Sequence, residues 1–134
     1  TADELSTLGI NFLKIHNLHV VEHTELAKLY SSNPFHLYSY DEYLELLIDF
    51  LERLSPDIVI ERLVGESPPS LLIAPTWRKS GGEVQGDVIK KLRERESFQG
   101  KKCKIFKRQN PESGNGLFNH TKLNFHVPED NSGT

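Results

Sequence analysis

The sequence predicts an α/β fold built on parallel strands, and three of its stretches carry that reading. Ile58, Val59 and Ile60 form an unbroken β-branched run, the pattern of a strand covered on both faces in a parallel sheet. Ahead of it Leu44, Leu47, Ile48, Leu51 and Leu54 recur at helical spacing, giving one apolar stripe from Tyr40 to Leu54. A second apolar run, Leu71 to Ala74, follows Pro68 and Pro69 and is closed by Pro75, positions where proline is tolerated around a short strand.

Taken in order, Ala2 to Leu8 reads as the last turns of a helix, with Gly9 placed for the left-handed residue that commonly ends one. Asn11 to Leu18 reads as a strand. Alternation puts Lys14 and His16 on one face and Asn17 and His19 on the other, so polar residues crowd its carboxyl end. Thr24 is an N-cap for a short helix from Glu25 to about Tyr30. Asn33-Pro34 breaks the chain, and Ser39-x-x-Glu42 is a capping box for the long helix, which Ser55 and Pro56 stop. After the two proline-bounded strands, Arg78 to Gly82 reads as a turn and Glu83 to Glu96 as a last helix with Val84, Val88, Ile89 and Leu92 on one side. Beyond Lys101 Gly, Asn, Pro and Ser accumulate without a sustained period, which predicts a poorly ordered polar tail over 103–134. Within it, Cys103 to Lys107 and Lys122 to Val127 are each long enough for a short strand.

The 134 residues amount to one domain's worth of chain. Residues 1–100 carry 10 basic against 16 acidic side chains, while 101–134 carry 6 against 3. An acidic body argues against broad nonspecific binding of nucleic acid, which depends on a basic footprint. With no Met the sequence is expected to be a piece of a longer polypeptide. One Cys, Cys103, excludes an internal disulfide and cannot alone hold an iron-sulfur cluster. No apolar run approaches the ~18 residues of a membrane span and no signal-peptide pattern opens the chain, so no membrane partner and a cytoplasmic location are expected.

Several residues could carry chemistry. Glu61 and Arg62 follow the β-branched run at its carboxyl end, where ligands are handled in parallel α/β architectures. With Lys14, His16, Asn17 and His19 they form the candidate site: Arg grips carboxylate or phosphate with a two-pronged fork, and Asn and His suit hydroxyls or a base edge. The bland alternative places Glu61 and Arg62 on opposite faces in ordinary ion pairs. His19-x-x-Glu22-His23 matches a zinc-hydrolase pattern, but that chemistry needs both histidines on one face of a helix, and here they flank a β-branched stretch. Trp77 is assigned to the core. Arg78, Lys79, Lys90, Lys91, Arg93 and Arg95 give the last helix a basic cast, read as a solvated face, with contact to an RNA backbone as the sharper alternative.

The stretch RLSPDIVIERLVGESPPSLLIAPTW, from Arg53 to Trp77, with FLKIHNLHVVEHT upstream and ERESFQGKK downstream, resembles the C-terminal half of a bacterial radical SAM protein family related to the elongator catalytic subunit. The resemblance covers residues 1 to about 102 and is carried by the R-L-x-G-(E/D)-x-P and L-I-A-P-x-W spacings. It implies that residues 1–56 are the last part of a radical SAM (β/α) barrel, that 57–102 are the family's C-terminal segment, and that this chain is only part of a barrel. It further implies that the whole enzyme binds a [4Fe-4S] cluster on a Cys-x3-Cys-x2-Cys run upstream of Thr1. That enzyme would cleave S-adenosylmethionine to a 5'-deoxyadenosyl radical. The cavity at the strand ends would then be lined in part by the candidate residues above, with the upstream barrel half as partner and RNA open as a substrate class. Two positions depart from the family pattern: His23 stands where Gly is usual, and Gly65 where the elongator-like relatives carry a second Arg. A self-sufficient α/β binding module without enzymatic activity is the alternative. Because a closed (β/α)8 barrel takes ~250 residues, about 100 structured residues are expected to leave strand edges open and to be marginally stable or self-associating in isolation.

Overall fold

In the computed structural model, residues 1–104 and 124–125 are described. The element order is α1 (Ala2–Thr7), β1 (Phe12–Lys14), β2 (Val20–Val21), α2 (Glu25–Ser32), α3 (Tyr40–Arg53), β3 (Val59–Arg62), β4 (Leu72–Ala74) and α4 (Gly81–Glu94). The strands form two separate pairs. β1 runs parallel to β3 with Phe12 opposite Val59, Leu13 opposite Ile60 and Lys14 opposite Arg62. β2 runs antiparallel to β4, with Val20 opposite Ala74 and Val21 opposite Leu72. The parallel pairing agrees with the β-branched run; the second apolar run belongs to a different, antiparallel sheet.

Helix α3 carries the core. Its Leu44, Leu47, Ile48 and Leu51 are buried together with Val84, Val88 and Leu92 of α4 and Ile60 of β3. Each such aliphatic side chain, fully buried, contributes about 1.5–3 kcal/mol relative to exposure. The Ser39–Glu42 capping box forms as the pattern requires, with the Glu42 N–H donating to Ser39 Oγ and the Ser39 N–H donating to Glu42 Oε2. Thr24 likewise caps α2 by accepting from the Ala27 N–H, and Gly9 has φ +68° directly after α1. His23 has φ +65°, the region glycine enters most cheaply, which accounts physically for a glycine preference at that turn.

Three expectations need correction. The first strand ends at Lys14, not Leu18, because its register against β3 shifts between Leu13 and Lys14 and the ladder closes with the Ile15 N–H on the Arg62 carbonyl. The alternation of faces therefore stops there. Helix α4 begins at Gly81, inside the expected turn, because Ser80 and Glu83 make a second capping box that outweighs the propensity cost of Gly81 and Gly82. The strand expected on the Ile58 to Ile60 run instead spans Val59–Arg62, taking in Glu61 and Arg62, and it is covered unequally: Ile58 and Ile60 are buried, Val59 is half-buried, Glu61 and Arg62 are exposed. Of the two short strands considered in the tail, Cys103 and Lys104 are not in a strand, Asn124 and Phe125 lie beside β3, and the remaining positions lie outside the described residues. Among the described residues no helix is long and apolar enough to cross a membrane.

Candidate functional site

Because β1 and β3 are parallel, their carboxyl ends lie together, and the loops that leave them, 15–19 and 63–67, meet. One side-chain to backbone bond joins the loops: Asn17 Oδ1 accepts from the Gly65 N–H at 3.0 Å. A second secures the later loop to the core, where the Tyr43 hydroxyl donates to the Leu63 carbonyl at 2.6 Å. Tyr43 is buried, and that burial pushes its phenol up to about 12. His16 Nδ1 lies 2.7 Å from the Asn17 carbonyl, and its ring meets His19 edge-on at 5.2 Å. His19 Nδ1 is 2.6 Å from Ser67 Oγ. Burial and the neighbouring His16 both hold the His19 imidazole below its ordinary value of 6.5.

Three of the six candidate residues line two separate hollows, and Lys14, His16 and Asn17 line neither. His19 lines a cleft of about 470 Å³ with Gly65, Ser67, Trp77 and Arg78. Glu61 and Arg62 line a smaller one of about 220 Å³ with Glu66, Gln85 and Phe125. Lys14 is on the surface, 3.5 Å from Glu61, a solvent-screened pair of little energetic weight. His16 and His19, placed on opposite faces by strict alternation, touch instead, since the strand has already ended. Trp77 stacks on Tyr43 with ring centroids 5.0 Å apart and donates from Nε1 to the Tyr38 carbonyl. It packs against the core as assigned and also walls the larger cleft.

Ser67, Gly65 and Tyr43 were not distinguishable in the sequence as parts of this site. Ser67 sits in a proline-rich loop with no period to mark it, and Gly65 matters through the space it leaves. Tyr43 reads only as one member of an amphipathic helix. The basic helix is more committed than its composition suggests: Lys91 and Arg95 pair with Glu45 on α3, and Lys79 with Asp87.

The zinc pattern lacks its geometry, because strand β2 lies between His19 and His23 and His23 is exposed in a turn. Among the described residues no group of three His, Cys, Asp or Glu side chains could share a metal. The chain's single Cys, Cys103, is buried, so these residues do not fit an iron-sulfur cluster. One buried polar group among the candidates is left without a partner in the described residues. Asn17 is 7% exposed, and its Nδ2 has no hydrogen-bond partner among the described residues. The Gly65 N–H fixes which end of the amide is oxygen, so the unpartnered end is a donor.

Residues 10–94 match the family model described as the Radical_SAM C-terminal domain. The chain belongs to that family. Two relatives share 35% identity with this radical SAM C-terminal domain: the uncharacterized protein YtqA of Bacillus subtilis (strain 168), over 84% of this chain and 34% of its own length, and the uncharacterized protein MJ0486 of Methanocaldococcus jannaschii, over 75% and 31%. The chain thus spans about a third of the curated relatives it matches. The family assignment associates the domain with proteins that use S-adenosylmethionine and a [4Fe-4S] cluster.

Proposed function

We propose that this chain is the C-terminal portion of a radical SAM enzyme and walls the cavity in which its substrate and S-adenosylmethionine meet. The observation that carries the reading is the Asn17 amide: buried, oriented by Gly65, and left with a donor for a group that the described residues do not supply. A buried donor without a partner costs about 1–3 kcal/mol, so a complement from cofactor, substrate or the upstream barrel half offsets a real penalty. It sits where the two parallel strands end, the location at which α/β proteins bind ligands. The cluster and S-adenosylmethionine would supply the 5'-deoxyadenosyl radical from elsewhere in the polypeptide. Residues 1–56 close the barrel in this reading, 57–102 form the C-terminal segment, and the outer edge of β1, where Phe12 is exposed, receives the upstream half. His19 and Ser67 form the polar floor of the cleft and Trp77 a flat apolar wall. For the smaller hollow, Arg62, which has no ion pair among the described residues, is the anion-binding group. An RNA substrate draws on less: of the six cations considered, Arg78 alone both lines the cleft and has no ion pair among the described residues.

The test is reductive cleavage of S-adenosylmethionine by the full-length, anaerobically reconstituted protein. The reading expects 5'-deoxyadenosine from the wild type and at least a tenfold lower yield from Asn17→Ala, with an unchanged cluster absorption spectrum. No cleavage by the wild type would favour a binding module. Equal yields would remove Asn17 from the cavity.

A further inference from the structure

We infer that the chain returns to β3 after α4 and adds a third parallel strand there, which makes Phe125 the outer wall of the Arg62 hollow. Strand β3 is bonded on both edges. The Val59 N–H donates to Asn11 on the β1 side, and the next N–H, that of Ile60, donates to the Asn124 carbonyl at 2.7 Å, with Ile60 and Phe125 bridged in parallel. Successive N–H groups pointing to opposite neighbours is what an interior strand of a parallel sheet shows. Within this sheet the order β1, β3, Asn124–Phe125 follows the chain, with α3 ahead of β3 and α4 after it, while β2 and β4 pair in a sheet of their own.

A clamp is built to receive the strand. Gln99 is 3% exposed, and its Nε2 donates to the Ser55 and Ile58 carbonyls at 2.9 and 2.8 Å. Both protons are thereby used, which turns Oε1 toward the Asn124 N–H at 3.0 Å. Asn124 answers with Nδ2 on the Pro56 carbonyl at 3.1 Å. The stretch bearing Gln99 is fixed independently of the tail: the Gly100 N–H bonds the Leu51 carbonyl, the Lys102 N–H bonds the Glu52 carbonyl, and the Lys102 ammonium meets the Glu52 carboxylate at 2.8 Å. Gly100 has φ +88° and lies so close to Pro56 that a Cβ there would fall 2.6 Å from its Cδ. A preorganised site of this kind spends little entropy on docking.

The consequence concerns the site. Phe125 packs against the core and lines the hollow that holds Glu61, Arg62, Glu66 and Gln85. It lies outside residues 10–94, the span that the family model matches. On the reading that Arg62 faces a substrate, Phe125 is a specificity-determining wall supplied from beyond the family domain.

Residue-resolved hydrogen exchange in the full-length protein tests this without reference to activity. The Ile60 amide should be protected in the wild type and exchange at least tenfold faster in Asn124→Pro, which removes both Asn124 donors, while Val59, bonded to β1, keeps its protection. A chain lacking 105–134 should behave the same way, and if it fails to fold the point variant decides. Equal Ile60 protection in wild type and Asn124→Pro would overturn the proposal. Failure of S-adenosylmethionine cleavage would leave this result unaffected.

Discussion

The ring of His16 fills the space that any side chain at Gly65 would need: a Cβ built there falls 1.9 Å from His16 Cε1. The two positions are therefore one packing unit, although 49 residues of sequence separate them. Since His16 is exposed and its ring can swing outward, Gly65→Ala should move the ring instead of unfolding the loop. The expected stability loss is about 1 kcal/mol or less by chemical denaturation. Its sharper signature is at His19, whose imidazole is depressed first by burial and second by His16. An NMR titration should find the His19 pKa raised in Gly65→Ala yet still below 6.5, because the burial contribution remains. An unchanged His19 titration would contradict the contact.

The same depression fixes a pH dependence. The folded state resists protonating His19 while the unfolded chain takes the proton at the ordinary 6.5. As pH falls through 6.5 the unfolded state binds more protons, so stability declines, and the loss levels off below the folded-state pKa. Replacing His19 by Gln removes this contribution. The slope of melting temperature against pH between about 7 and 5.5 should be shallower in the variant than in the wild type; parallel slopes would refute the assignment.

Tyr43→Phe leaves the Leu63 carbonyl without the hydroxyl that satisfies it. Tyr43 is 4% exposed, so little water can substitute. A loss of about 1–3 kcal/mol is expected on denaturant unfolding, together with a changed environment for Trp77, which stacks on that ring. Wild-type stability in the variant would show the bond to be energetically idle.

Gly86 stands inside α4, and a Cβ there meets nothing within 4 Å. Gly86→Ala should therefore stabilise the protein by roughly 0.5–1 kcal/mol through helix propensity alone. A destabilised variant would mean that this face of α4 packs against something outside the described residues.

The elements were legible where local chemistry is strong. Ser39 and Glu42 announced α3, Thr24 announced α2, and the β-branched run at Ile58 to Ile60 announced a parallel strand. Ser80 and Glu83 carried the same signal as Ser39 and Glu42, but two glycines after the cap obscured it. The site was only partly legible. His16, Asn17 and His19 do gather where the strand ends, yet their meeting with Gly65 and Ser67 depends on parallel pairing across some fifty residues, and no local period encodes that. Grouping Glu61 and Arg62 with the histidines failed to anticipate two hollows, because a strand's carboxyl end says nothing about which side of the loop each side chain takes. Asn124 and Phe125 fall within the Lys122 to Val127 run, long enough for a short strand, but their place beside Ile60 was not legible, because no local period says which strand edge such a run meets.

The central proposal is that loops 15–19 and 63–67 line a cofactor and substrate cavity of the full-length protein. Hydrogen exchange of that protein, cluster-loaded under anaerobic conditions with and without S-adenosylmethionine, tests it most directly. The account predicts slower exchange in these two loops on adding S-adenosylmethionine, the Gly65 amide included, with helix α2 unchanged. Protection confined to residues upstream of this chain, with both loops unaffected, would contradict it.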